Sequence, residues 1–173
     1  MLMFALVLAV VLIYMVLASQ FGSLLHPFLI MFSVPLGFIG VVWALFLTHN
    51  TLSVISFIGI IMMVGVVVSN AIILVEYINR LRQEHGVELR ESIVRAGRIR
   101  LRPIVMTTLT TICGLIPMAL GLGEGAEANA SLAISVIGGL TVSTFLTLVF
   151  VPTLYLIVET WRAERRKERV LGV

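Results

Sequence analysis

Apolar residues follow one another along this chain with few interruptions, and the interruptions are short and polar. A first run, Leu2 to Ala18, ends at Ser19-Gln20-Phe21-Gly22-Ser23, a turn-forming break. Pro27 opens a second run, Phe28 to Leu47, at a helical start where its missing N–H costs nothing. His49-Asn50-Thr51 makes a tight polar turn into a third run, Leu52 to Ile78. The fourth begins at Pro103 and reaches Leu122, and the loop Gly123-Glu124-Gly125-Ala126-Glu127-Ala128-Asn129 leads into a fifth, Leu132 to Val158. A hydrocarbon core of about 30 Å takes about 20 apolar residues per helix, so each run is of spanning length. The runs are continuous, whereas a barrel strand alternates over about 10 residues. The pattern predicts an all-α integral membrane protein with about five transmembrane helices.

Charge placement orients them. No Lys, Arg, Asp or Glu occurs from Met1 to Val75. Seven basic residues lie between Arg80 and Arg102 and five between Arg162 and Arg169, which together are all 12 in the chain. With five spans both groups fall on one side, and the other side has Glu124, Glu127 and His49. By the positive-inside rule the basic side is cytoplasmic, which places the N-terminus on the outer side and the C-terminus in the cytoplasm. Residues 1–78 then hold three helices, 79–102 a cytoplasmic basic connector, 103–158 two more helices, and 159–173 a basic tail. Val87–Arg100 reads either as a short amphipathic surface helix, with Leu89, Ile93, Val94 and Gly97 on one side, or as an ordinary solvated connector.

Composition removes the soluble alternatives. Hydrophobic residues make up 60% and charged residues 12%, with a mean hydropathy of +1.12; soluble domains are about 25% charged. The net charge of +3 comes from residues beside the membrane, where anionic lipid attracts each by about 1 kcal/mol. A lipid membrane is therefore the expected partner, and nucleic acid is not. Met1–Ala18 lacks the basic start of a signal peptide and leads straight into further spans. A single cysteine, Cys113, allows no internal disulfide.

Polar and small residues within the spans are the candidates for function or packing. Gly65 and Ser69, four apart, make a face that admits a neighbouring helix, and Asn70 needs a hydrogen-bonding partner near mid-membrane. Thr107, Thr108, Thr110 and Thr111 can bond back to their own helix. Pro35, Pro117 and Pro152 are expected to break backbone ladders, and Gly138-Gly139 invites close packing. No carboxylate lies deep in a span, and Asp is absent. A phosphate loop, a hydrolytic triad and metal-ligand spacing are missing as well, so no enzyme, cofactor or metal is expected. His26, His49 and His85 read as loop residues, and the eight methionines as packing or lipid-facing.

Several motifs carry a resemblance. Gly65-Val-Val-Val-Ser69-Asn70-Ala71-Ile72-Ile73-Leu74-Val75-Glu76-Tyr77 is similar to the tenth transmembrane helix of resistance–nodulation–division (RND) efflux permeases. Arg98-Ile-Arg100-Leu-Arg102-Pro103-Ile-Val-Met106-Thr107-Thr108 resembles the start of their eleventh, and Gly121 to Ala126 the loop after it. Ile137-Gly138-Gly139-Leu140 with Val149-Phe150-Val151-Pro152-Thr153-Leu154-Tyr155 resembles the twelfth, and Ser33-Val34-Pro35-Leu36-Gly37 fits the ninth. The order and spacing run through nearly the whole chain and point to the hydrophobe/amphiphile drug-efflux branch.

The resemblance implies the C-terminal membrane half, spans eight to twelve, of a proton-motive-force-driven multidrug antiporter of the bacterial inner membrane. Implied partners are the rest of the permease (spans one to seven and two periplasmic domains), a homotrimer, a periplasmic adaptor and an outer-membrane channel. It also implies proton-relay roles for Arg100, Thr107, Asn70 and Ser69. Ser69 and Asn70 would then face paired aspartates that this sequence does not contain, and Ser69 stands where drug-efflux members often have Lys. Such a chain would be incomplete for transport on its own. A second possibility is a small standalone membrane protein that acts as a structural or regulatory partner of a permease.

Overall fold

The computed structural model describes the backbone of residues 2–21, 25–122 and 126–171, and the side chains of residues 3–21, 26–122 and 129–161. Six helices follow in order: α1 (Leu2–Phe21), α2 (Leu25–Met31), α3 (Ser33–Leu47), α4 (Val54–His85), α5 (Leu89–Ala119) and α6 (Ala126–Leu171). No strand occurs among the described residues. With α2 and α3 taken together, five segments are long and apolar enough to cross a membrane. The Gly22-Ser23 part of the first turn, the side chains of Glu124 and Glu127, and the basic side chains from Arg162 to Arg169 lie outside the described residues.

Packing centres on α6, which makes its most extensive contacts with α3, α4 and α5, whereas among the described residues α1 touches only α2 and α4. The buried core runs along α4 through Ile60, Met63, Val67, Ala71, Leu74 and Ile78, which recur every three or four residues. Much of α1 and α5 presents apolar side chains outward, among them Phe4, Leu12, Met106 and Leu109. His26 approaches Glu159 at one end of the bundle, and Ser131 donates to Asn50 at the other, at 3.4 Å. The α2–α3 segment therefore runs antiparallel to α6.

Local chemistry explains both ends of α4. The Ser53 hydroxyl accepts from the Ser56 N–H at 3.2 Å, and the Ser56 hydroxyl accepts from the Ser53 N–H at 3.3 Å. These reciprocal bonds satisfy the first free donors of α4. At the other end α4 passes the expected boundary at Ile78 by seven residues, to His85, with Arg80 paired to Glu84 one turn on. It stops at Gly86, whose φ of 60° is left-handed.

Three expectations from the sequence are corrected. Pro103 does not begin a helix: α5 starts at Leu89 and runs through Pro103 without interruption, so the connector and the apolar run after it are one rod. The reason is a stripe spaced four apart, Ser92, Ala96, Arg100, Ile104 and Thr108, which is buried or half-buried on both sides of the proline. Val94, assigned to the apolar face, is exposed. Pro117 and Pro152 sit inside helices that continue past them, each leaving one bond out of the backbone ladder, and Pro35 accompanies a full break, at Phe32 between α2 and α3. There the proline ring would strike the carbonyl four residues back. Lastly, His26 and His85 are helical; His49 alone of the three is in a turn, with a φ of 53°.

Candidate functional site

Glycines bring the helices of the central seam together. A Cβ placed on Gly138 would lie 2.1 Å from the Ala44 Cβ and 2.7 Å from the Gly40 carbonyl oxygen. On Gly139 it would meet Met63 Cγ at 2.7 Å, and on Gly37 the Met63 sulfur at 2.8 Å. The backbones of α3 and α6 thus touch at Gly40 and Gly138, as small residues permit in membranes. Met63 fills the space beside them. Gly65 is different, because nothing comes within 4 Å of its Cβ position. It shares an uncovered stripe of α4 with Met62, Ser69, Ile73 and Glu76.

The four relay candidates separate by direction. Ser69 is exposed on the uncovered stripe, and Thr107 is exposed on α5, its hydroxyl donating to the Ile104 carbonyl at 2.9 Å. Arg100 is half-buried, with its guanidinium carbon 4.6 Å from the centre of the Tyr77 ring, a cation–π contact that ties α5 to α4. Asn70 points the other way. One residue turns a helix by about 100°, so Asn70 lies against α5 and α6, 9% exposed, instead of sharing the face of Ser69.

Around Asn70 is a polar seam that reasoning from sequence passed over. The Thr108 and Thr144 hydroxyls hydrogen-bond to each other at 3.1 Å, joining α5 to α6. Ser143 and Thr147 are buried beside them. Thr110 and Thr111 do bond back to their own helix, at 2.8 Å each, so Thr108 is the exception in its run. A signal was present in the sequence: Gly139, Ser143 and Thr147 recur every four residues in the fifth span, as Gly40 and Ala44 do in the second.

A second polar group gathers at the end of the bundle that holds the Arg80–Arg102 segment. Arg82 Nη1 donates to Glu159 Oε2 at 2.8 Å and to the Tyr155 hydroxyl at 3.2 Å, and that hydroxyl donates to Asn79 Oδ1. His26 Nε2 lies 3.8 Å from Glu159 Oε1, and its ring stacks on Tyr155 with centroids 5.7 Å apart. These residues and Gln83 border a cavity of about 430 Å³. The cluster joins α2, α4 and α6 where they leave the apolar zone.

A model of the AcrB/AcrD/AcrF family matches residues 1–159. The chain belongs to this family. Among its relatives, the swarming motility protein SwrC of Bacillus subtilis is 40% identical over 162 residues, 93% of this chain and 15% of SwrC. The multidrug resistance protein MdtC of Erwinia tasmaniensis is 38% identical over 158 residues, 91% of this chain and 15% of that protein. A heavy metal efflux pump of known crystal structure superposes with a TM-score of 0.78 at 40% identity, covering 87% of this chain and 14% of that one. The chain therefore spans about 15% of the length of the family members it matches. Its helices form a multi-pass transmembrane segment of an RND efflux permease.

Proposed function

We propose that this segment works within a proton-motive-force-driven permease that exports drugs and other amphiphiles across the bacterial inner membrane. The observation that carries the proposal is the family match through residues 1–159, which takes in Ser69, Asn70, Arg100 and Thr107 together. In this proposal the permease is a homotrimer joined to a periplasmic adaptor and an outer-membrane channel, with the basic ends of α4 and α5 in the cytoplasm. In this proposal the complete permease moves solutes, and the segment catalyses no chemical reaction.

The uncovered stripe of α4 and the exposed face of α5 suit contact with helices that carry the titrating carboxylates. Ser69 and Thr107 offer hydroxyls there, and Arg100 a fixed positive charge near the cytoplasmic end. A hydroxyl at position 69 can bond a carboxylate but supplies no charge, so that carboxylate protonates more readily than beside a lysine. Asn70 contributes from the inner side by holding α4 against α6.

In the full-length permease, Thr107→Ala and Asn70→Ala should abolish export while membrane insertion and trimer yield stay normal. Normal export in both variants would leave these residues a packing role only. The 173-residue chain expressed alone in a pump-deficient strain should leave drug susceptibility unchanged; a proton-gradient-dependent rise in resistance would overturn the expectation that further helices are needed.

A further inference from the structure

Where α4, α5 and α6 meet there is a small, partly open cavity of about 10 Å³ beside Asn70, bordered by Val67, Ile104, Ser143, Thr144, Thr147 and Leu148. The Thr147 hydroxyl oxygen on its wall is fully buried and has no hydrogen-bond partner. Other threonines of α6 behave differently. Thr141 donates to the Ile137 carbonyl at 2.7 Å and Thr153 to the Val149 carbonyl at 2.6 Å, each four residues back. Thr147 makes no such bond, although the same acceptor position exists on its own helix. An orphaned hydroxyl in an apolar span is costly and calls for a partner.

We propose that this cavity is a binding site for one ordered water molecule, held by Thr147, Asn70 and Thr144. A single water needs about 10–15 Å³ and two to four polar neighbours, and the site meets both requirements. Thr147 supplies an unused donor and acceptor, and the Asn70 amide offers two donors and one acceptor. Either hydroxyl of the Thr108–Thr144 pair can be the donor, so Thr144 offers the water its own hydrogen in one arrangement and a lone pair in the other. Among the described lining residues every polar group is neutral, which suits water better than a metal cation. The water completes a chain of hydrogen bonds from Thr108 on α5 through Thr144 to Asn70 on α4. It fixes the Asn70 amide from the α6 side, one residue away from Ser69 and facing away from the uncovered stripe. This inference concerns the chain's own interior and does not depend on whether the permease is proton-driven.

The test uses the purified 173-residue chain in detergent micelles with ¹⁵N-labelled asparagine. The chain has four asparagines, and the Asn70 side-chain signal is assigned by its loss in Asn70→Leu. A cross-peak between water and the Asn70 amide protons is expected in the wild type, retained in Thr147→Ser and lost in Thr147→Val. Thermal unfolding should show a midpoint for Thr147→Val lowered by about 2–4 °C, the scale at which one hydrogen bond moves a chain of this length. Absence of the wild-type cross-peak, its undiminished presence in Thr147→Val, or a midpoint that stays or rises in that variant would each overturn the proposal. If Thr147→Val does not fold, the wild-type and Thr147→Ser spectra decide.

Discussion

One methyl group at Gly138 separates two kinds of glycine in this protein. Its added carbon would sit 2.1 Å from the Ala44 Cβ, and no flexible side-chain end is there to move aside. Gly138→Ala must push α3 away from α6, an overpacking cost of about 1–3 kcal/mol. Gly65→Ala meets open space and gains helix propensity, worth up to about 1 kcal/mol. Thermal unfolding of the purified chain should therefore show a clear loss for Gly138→Ala and no loss for Gly65→Ala. Equal effects would mean that α3 and α6 do not touch as described. Both are glycines in apolar runs, so sequence alone ranked Gly65, Gly138 and Gly139 together as packing positions and passed over Gly40. The distinction depends on which helix lies opposite, a fact local sequence does not hold.

At the scale of the helices, α4, α5 and α6 are longer than a membrane requires. At 1.5 Å per residue the 32 residues of α4 extend about 48 Å, against a core of about 30 Å. The excess is held at one end by the Arg82–Glu159 pair, with Tyr155 and Asn79 behind it. Arg82 is about one-third exposed and Glu159 about one-seventh, so solvent weakens the pair, and about 1–2 kcal/mol is a reasonable scale for its loss. Glu159→Gln should raise amide hydrogen exchange over residues 79–85 and leave residues 60–70 protected. Unchanged exchange over residues 79–85 would show that the end of α4 stands without its partner. The number and order of the long apolar helices were legible because hydropathy is a property of each run. The fusion of connector and fourth span was not, because Pro103 reads as a helix start. Only the stripe from Ser92 to Thr108 and its neighbours carry the helix through.

The orientation of the whole molecule rests on charge. The proposed topology places Glu84 in the cytoplasm and Ala126 in the periplasm, on opposite ends of the bundle. On a Cys113→Ala background, an impermeant thiol reagent applied to intact cells should label Ala126→Cys and spare Glu84→Cys. The reverse pattern would invert the topology and with it the cytoplasmic placement of Arg100.

The sequence by itself determined that the chain is helical, crosses a membrane about five times and belongs with RND permeases. Bilayer physics acts on each segment separately, so a long uncharged run is enough to specify a span. The ordered motifs around Asn70, Arg100 and Gly138 were likewise readable one after another. What the tertiary structure decided is where those residues point. Ser69 and Asn70 are neighbours in sequence, yet one lies on an open stripe and the other beside Thr144 and Thr147. His26, Arg82 and Glu159 come from three distant segments and meet only because α2, α4 and α6 end at the same level. Helix direction in a bundle is set by contacts with whichever surfaces pack most closely, and small residues such as Gly40 and Gly138 select those surfaces by allowing backbones to approach. That choice is a property of pairs of helices, and it becomes visible only when both members are in place.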